Sequence, residues 1–341
     1  MGAKFSDSLN FIRKQSPSRW LNMGDVYSSF QTSKLWGKMN HRGMPVSISI
    51  EPTTSCNLRC PECPSGLRSF TRPTGMMKKE LFESVVNQLA PSLSYLIFYF
   101  QGEPYLHPHL LEMVRFASQK RIYTATSTNA HYLNDEAAKE TVESGLDRLI
   151  ISLDGTTQEA YQSYRIGGKI EKVIDGTTNI LRWKKELKSM TPHVIFQFLV
   201  VRHNEHQIDE VKKLAKELGV DEVKLKTAQI YNFENGSDLI PVNQKYSRYE
   251  RNRNGKYSLK NALLNECWKM WHSCVVTWDG KVVPCCFDKD AHFVLGDLNH
   301  HTFEEIWRGE KYNQFRESLF TSRSEIEMCR NCTEGAKVFA G

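Results

Sequence analysis

The chain has 341 residues, 40% of them hydrophobic and 25% charged, with 45 basic against 39 acidic side chains for a formal net charge of +6. That is enough apolar material for one large domain plus a small one, and it excludes an intrinsically disordered chain. The basic excess is mild and scattered, and no apolar run approaches the length of a membrane span or follows a basic start, so neither a nucleic-acid partner nor a membrane is expected.

Residues 1–44 read as a helical N-terminal extension, with a helix-like stretch around Phe5 to Trp20. From residue 46, strand-like and helix-like segments alternate. Val46 to Glu51, Tyr95 to Phe100, Tyr123 to Thr128, Arg148 to Asp154, His193 to Val201 and Glu222 to Gln229 are rich in β-branched and aromatic residues and predict six strands. Amphipathic helices are predicted between them at Lys79 to Ala90, His109 to Lys120, a third opening at Asn134 as its N-cap, Lys169 to Leu187, and His206 to Leu218 ending at Gly219. Repeated βα units give a parallel sheet, and six of them close only part of an eightfold barrel. The fold class expected is therefore α/β, a partial (β/α)6 TIM-like barrel over residues 45–230. Residues 231–261 are polar and lack apolar periodicity, which predicts a connector. A small β-hairpin plus helix module follows at 262–335, with a tail at 336–341.

Nine cysteines, an odd number, without a signal peptide predict reduced, metal-bound thiols in a cytoplasmic protein. Three of them, in Cys56-Asn57-Leu58-Arg59-Cys60-Pro61-Glu62-Cys63, follow the first strand directly. This Cys-x3-Cys-x2-Cys spacing suits one loop folding around a single 4Fe-4S cube, with one iron left without a protein ligand. A zinc site is the competing reading, but structural zinc wants four closed ligands and no nearby Cys or His completes this set. The other suggestive residues also fall just after strands: Gly102-Glu103-Pro104, Asn129, Asp154-Gly155, His203-Asn204 and Gln229. Each alone is ordinary turn chemistry. Together they describe the carboxyl-end mouth of a parallel barrel, where active sites are built.

The cysteine motif resembles the signature of the radical SAM superfamily. The resemblance implies that S-adenosylmethionine (SAM) chelates the open iron through its amino and carboxylate groups, and that one electron, delivered by a reductant protein such as flavodoxin or ferredoxin, cleaves it to a 5'-deoxyadenosyl radical. Gln101-Gly102-Glu103-Pro104 looks like the family's Gly-Gly-Glu motif, which implies that Gly102, Glu103 and Pro104 lie at the SAM amino group; Gly at 102 allows close backbone approach to a ligand. Ser127-Thr128-Asn129 resembles the segment near the ribose, implicating Ser127 and Asn129. Ser152, Asp154 and Arg165 resemble the group that meets the SAM carboxylate, to which the planar fork of Arg is suited. Glu62 departs from the pattern, standing where an aromatic residue is usual.

The other six cysteines are Cys267, Cys274, Cys285, Cys286, Cys329 and Cys332. Cys274 to Cys285 reads as a hairpin with an Asp279-Gly280 turn, and Thr302 to Phe320 as a helix. This order resembles the SPASM family in its short, twitch-like form, which implies one auxiliary 4Fe-4S cluster on Cys267, Cys285, Cys329 and Cys332; a zinc site is again the competing reading. A two-residue turn at Asp279-Gly280 would set Cys274 opposite Cys285 on one sheet face, making Cys274 the alternative auxiliary ligand, and would turn Cys286 to the other face as a buried thiol. A second cluster can accept the electron of a substrate radical, making the net reaction an oxidation. Relatives with such modules modify peptides or proteins, or dehydrogenate aminocyclitol-type sugars, so the substrate is a peptide or a small molecule. In the sulfatase-maturing branch an Asp base follows the hairpin cysteine; Cys286 stands there instead, which counts against formylglycine formation. His107, His109, His203, His206 and His272 are candidate bases, and the sequence selects none of them. The alternative reading is an iron-sulfur electron-transfer protein, or a zinc-bearing interaction protein on a non-catalytic barrel.

Overall fold

The computed structural model describes residues 3–260 and 263–333. The expected tail at 336–341 lies outside the described residues, as do residues 261, 262, 334 and 335 at the expected module boundaries. Two helices open the chain, α1 (Ala3–Arg13) and α2 (Pro17–Trp36), where the sequence suggested one stretch. The break follows from local chemistry: the Ser16 side chain accepts from the Arg19 N–H at 3.3 Å, and Pro17 takes the first helical position, where its missing N–H costs nothing.

All six expected strands are present: β1 (Ser47–Ile50), β2 (Tyr95–Ile97), β3 (Tyr123–Thr128), β4 (Arg148–Ser152), β5 (His193–Val200) and β6 (Glu222–Thr227), parallel and in chain order. The short α3 (Pro64–Leu67), then α4 (Lys79–Leu89), α5 (Leu110–Gln119), α6 (Asp135–Glu143), α7 (Gln158–Tyr164), α8 (Ile170–Glu186) and α9 (Ile208–Leu218) lie between them. Asn134 caps α6, accepting from Ala137 N–H at 2.9 Å, and Gly219 ends α9. Residues paired across strands share a sheet face. One face carries the row Ile151, Phe196 and Val223, packed in one core with Phe98 and with Val86, Met113, Val173 and Val211 of the helices. Each such burial contributes about 1.5–3 kcal/mol. The other face, lining the barrel, is mostly polar: Ser47, Tyr95 and Tyr123 form one row, and Ser152, Gln197 and Lys224 another.

Helix α1 closes the amino end of the barrel. Asp7 takes bonds from the Tyr123 hydroxyl and Arg148, and Lys14 and Asn10 reach Asp147 at 2.6 and 2.7 Å. The site-bearing carboxyl end is thus the open one.

Beyond β6 the connector holds an antiparallel pair that the sequence reading missed, β7 (Tyr249–Arg251) and β8 (Tyr257–Leu259). Then come α10 (Lys269–His272), β9 (Ser273–Val276), β10 (Lys281–Val283), β11 (Gly296–Asp297), α11 (Phe303–Arg308) and α12 (Glu310–Ser322). The helix expected over Thr302 to Phe320 is therefore two, broken at Gly309, the first closed by a Thr302/Glu305 capping box. Strand β9 pairs in parallel with β1, so one nine-stranded sheet runs β11-β10-β9-β1-β2-β3-β4-β5-β6.

The hairpin register differs from the expectation. Val276 pairs with Val282 and Val275 with Val283, so the loop is Trp278-Asp279-Gly280, three residues and not two. Gly280 N–H bonds to Thr277 O at 3.0 Å and Gly280 sits at φ +86°, the left-handed residue that a three-residue loop requires. The shift of one residue breaks the expected pairing of Cys274 with Cys285, and β10 ends at Val283, before any pairing of Cys274 could form, which removes the geometric argument for Cys274 as a ligand.

Candidate active site

The loop after β1 carries Cys56, Cys60 and Cys63 to the rim of a cavity of about 190 Å3 at the carboxyl ends of the strands. Gly102, Glu103, Ser127, Asn129, Ser152 and Arg165 line it with them. Pro104 and Asp154, expected among the contacts, do not line it: Pro104 opens the turn Pro104–Leu106, and Asp154 is buried behind Arg165.

Gly102 has φ +75°, and a Cβ there would lie 2.2 Å from Thr53 O. Its freedom serves the packing of the β2 loop onto the β1 loop, where ligand approach had been expected. Gly102 N–H bonds to Ser65 Oγ and Glu103 N–H to Ser55 O, both at 2.8 Å, which pins the loop that holds the cysteines. The Glu103 carboxylate is buried and accepts from Thr128 Oγ1 at 2.7 Å, Asn129 N–H at 2.8 Å and Tyr105 N–H at 3.2 Å. Burial pushes its carboxyl above the usual range against those donors. Asn129 Nδ2 donates to Asn57 Oδ1 at 2.7 Å, tying the end of β3 to the cysteine loop.

Arg165 places Nε 2.5 Å from Asp154 Oδ2 and Nη1 3.7 Å from Cys60 Sγ; the other Asp154 oxygen accepts from Leu199 N–H at 2.7 Å. Burial pushes the Cys56 thiol up to about 11 and also raises Cys60, which Arg165 opposes. Thiols so desolvated ionise readily only against a strong positive group, which the irons of a cluster provide.

Cys267, Cys285, Cys329 and Cys332 line a second cavity with Met270, Phe287, Leu319, Arg323 and Met328. Cys267 precedes α10, Cys285 follows β10, Cys329 ends the turn Glu327–Cys329, and Cys332 is tied to it by a Cys332 N–H to Cys329 O bond at 3.0 Å. Arg323 Nη2 is 3.5 Å from Cys332 Sγ. The hydrogen bond that the Cys285 thiol gives to Cys286, together with burial, raises Cys285, and burial raises Cys329. Cys274 is buried in the main core, its thiol raised by burial, and Cys286, expected to be buried, is half-buried with its sulfur 3.1 Å from Lys269 Nζ. Neither lines the cavity. The donor sets fit their groups: three thiols around a polar opening, four around an apolar enclosure.

None of the five candidate histidines lines either cysteine cavity. His107 bonds to Met77 O at 2.9 Å, and His272 is held neutral by burial, its imidazole lowered to about 4. The sequence reading missed Tyr99, Phe100, Tyr164, Gln197 and Leu199 of the barrel cavity. Gln197 had a signal, as the one polar break in the apolar run of β5. Glu62, the departure from pattern, accepts from Tyr231 N–H at 2.9 Å and so joins the cysteine loop to the connector.

Residues 50–215 match the model of the radical SAM superfamily, and residues 267–333 that of the SPASM iron-sulfur cluster-binding domain. The chain belongs to the radical SAM superfamily. A radical SAM enzyme with a SPASM domain uses SAM, the 4Fe-4S cluster that binds it and auxiliary iron-sulfur. The tungsten-containing aldehyde ferredoxin oxidoreductase cofactor-modifying protein of Pyrococcus furiosus is 26% identical over 319 residues, covering 84% of this chain and 86% of that one. BtrN, solved with AdoMet and 2-DOIA, shares the fold with a TM-score of 0.53 at 19% identity, covering 86% of this chain and 95% of that one. SuiB of Streptococcus suis, solved with S-adenosylmethionine, does so with a TM-score of 0.64 at 12% identity, covering 91% and 76%. Among the described residues no helix of this radical SAM enzyme is long and apolar enough to cross a membrane.

Proposed function

We propose that this radical SAM enzyme is an oxidoreductase in which Cys56, Cys60 and Cys63 hold the SAM-binding 4Fe-4S cluster and Cys267, Cys285, Cys329 and Cys332 hold one auxiliary 4Fe-4S cluster. When bound, these groups supply a carbon-centred radical that takes a hydrogen atom from the substrate and an acceptor for the electron left behind. The observation that carries the reading is the pair of cysteine-lined cavities on one sheet, joined through the β1–β9 ladder.

The chain's own residues do the rest. Asp154 aims the Arg165 guanidinium at the cavity, where it takes the SAM carboxylate; Glu103 holds Thr128 and Asn129 in place at the ribose end and offers its remaining lone pairs to the SAM amino group. Arg323, buried beside Cys332, balances the charge of four thiolates in an apolar enclosure. The substrate is a peptide or protein side chain, or a small polyol or aminocyclitol. The reductant is a flavodoxin- or ferredoxin-type protein, and the cytoplasm suits nine cysteines that form no disulfide.

Anaerobic reconstitution followed by reduction tests the proposal. SAM should be converted to 5'-deoxyadenosine and methionine, and iron and sulfide should each reach about eight per chain, two cubes' worth. Zinc in place of iron in the second site would overturn the oxidoreductase reading.

A further inference from the structure

A second opening runs along the β6 edge of the sheet, with residues of both of its faces in the lining. It is a groove of about 450 Å3 beside β6, lined by Lys4 of α1, Lys212 of α9, Lys224 and Lys226 of β6, and Lys245 and Tyr246 of the connector, with Glu222 its one acid. Glu222 is already engaged, by Lys4 at 3.0 Å, His193 at 3.2 Å and Lys224 at 3.8 Å. Lys212 pairs with Asp209 at 3.1 Å. Among the described residues, Lys226 and Lys245, both exposed, face no carboxylate. The groove is therefore strongly positive.

Its floor is a sheet edge. β6 ends the nine-stranded order, so among the described residues one row of its backbone N–H and C=O groups has no strand partner, until Arg248 Nη2 reaches Thr227 O at 3.5 Å. Lys224 is in register with Gln197, and Lys226 with Leu199; Gln197 and Leu199 line the cysteine cavity. Six residues of strand span about 20 Å.

We propose that this groove binds an extended acidic peptide segment, which adds a strand to the β6 edge and sets its carboxylates against Lys224, Lys226 and Lys245. Backbone pairing supplies affinity and the lysines select the charge. A strand laid there points along the sheet toward the carboxyl ends, where the cavity lies. That the segment belongs to the substrate rests on the proposed function; that it binds does not, and binding is read without turnover.

The experiment uses reconstituted enzyme and fluorescein-labelled hexapeptides of alternating Glu and Val or of alternating Lys and Val, followed by anisotropy. The Glu peptide should bind saturably and the Lys peptide should not. Lys226→Glu with Lys245→Glu, both exposed positions, should weaken binding at least tenfold while iron content and SAM affinity stay unchanged. Lys226→Gln with Lys245→Gln, should the reversal impair folding, should weaken it several-fold. A Glu peptide N-methylated at alternate residues should lose most of its binding. Equal binding by the N-methylated peptide, or by an oligothymidylate of equal charge, would overturn the proposal in favour of a general anion surface. Binding unaffected by the substitutions would overturn it outright, as would a lysine-dependent dimer, which would make the occupant a second copy of this chain.

Discussion

The two cysteine cavities bring the same side chain to opposite surroundings. At the barrel mouth three cysteines of one eight-residue loop stand beside Glu103, Ser127, Asn129, Ser152 and Arg165. In the module four cysteines come from three separate stretches of chain and close with Met270, Phe287, Leu319 and Met328 on a largely apolar enclosure whose charged members are Lys269 and Arg323. A set one thiol short, facing polar groups, leaves iron for a ligand to bind; a full set in an apolar shell leaves only electrons to move. The contrast teaches that ligand count and the polarity of the surrounding wall, more than the metal, divide the labour.

The sharpest way to break the contrast is to remove Cys56, Cys60 and Cys63 together as Ala. SAM cleavage should vanish, while iron falls from about eight to about four per chain because the second cube keeps its own thiolates; 5'-deoxyadenosine by chromatography and iron by colorimetry read the two halves separately. The converse is Cys329→Ala or Cys332→Ala. About four irons should again be lost, yet dithionite-driven SAM cleavage should persist. Cys274→Ala is the control, expected to keep all the iron and lose about 1 kcal/mol of stability in a denaturant titration.

Within the polar wall, Arg165→Ala should weaken SAM binding roughly tenfold or more, since a charge-assisted contact contributes about 1.5–3 kcal/mol. Glu103→Gln should do likewise, because an amide cannot accept from both Thr128 and Asn129 without turning a donor toward one of them. Spectroscopic titration of the cluster with SAM measures both, and wild-type affinity would remove these residues from the site.

The pH dependence is expected where the two regions join. Burial lowers His272 to about 4 and His41 to about 3; His41 bonds to Trp271 O at 3.0 Å, and Val46 N–H bonds to His272 O at 2.9 Å. The unfolded chain takes up these protons as the pH falls through about 6.5, whereas the folded chain resists until nearer 4 and 3. Stability from this source is thus full above about pH 6.5 and lost as the pH falls toward 4, by up to about 1.4 kcal/mol per histidine per unit. Melting temperatures of His272→Gln and wild type should converge in acid; a parallel decline would show that the junction does not titrate.

Much of this was legible in one dimension. The six strands emerged because β-branched and aromatic runs between amphipathic helices are local signals, and Cys56, Cys60 and Cys63 emerged because a loop of eight residues carries its own geometry. Asn134 and Gly219 marked helix ends for the same reason. What failed was set by a single residue or by distance. The hairpin slipped by one because Trp278-Asp279-Gly280 can close as a two- or a three-residue loop, and Lys281 with Thr277 decides. Pro104 and Asp154 do not line the cavity, since sequence position after a strand does not say which way a side chain faces.

The sequence by itself determined the repeating βα units, the three-thiol loop and the residue types at the barrel mouth, because each is carried by neighbours along the chain. Only the tertiary structure decided that β9 pairs with β1, that Cys267, Cys285, Cys329 and Cys332 share one cavity while Cys274 does not, and that β6 is left as an edge lined with lysines. These are contacts between residues up to some two hundred apart in sequence, fixed by which apolar faces bury together and which hydrogen-bonding edges remain to be paired, and no local pattern encodes them.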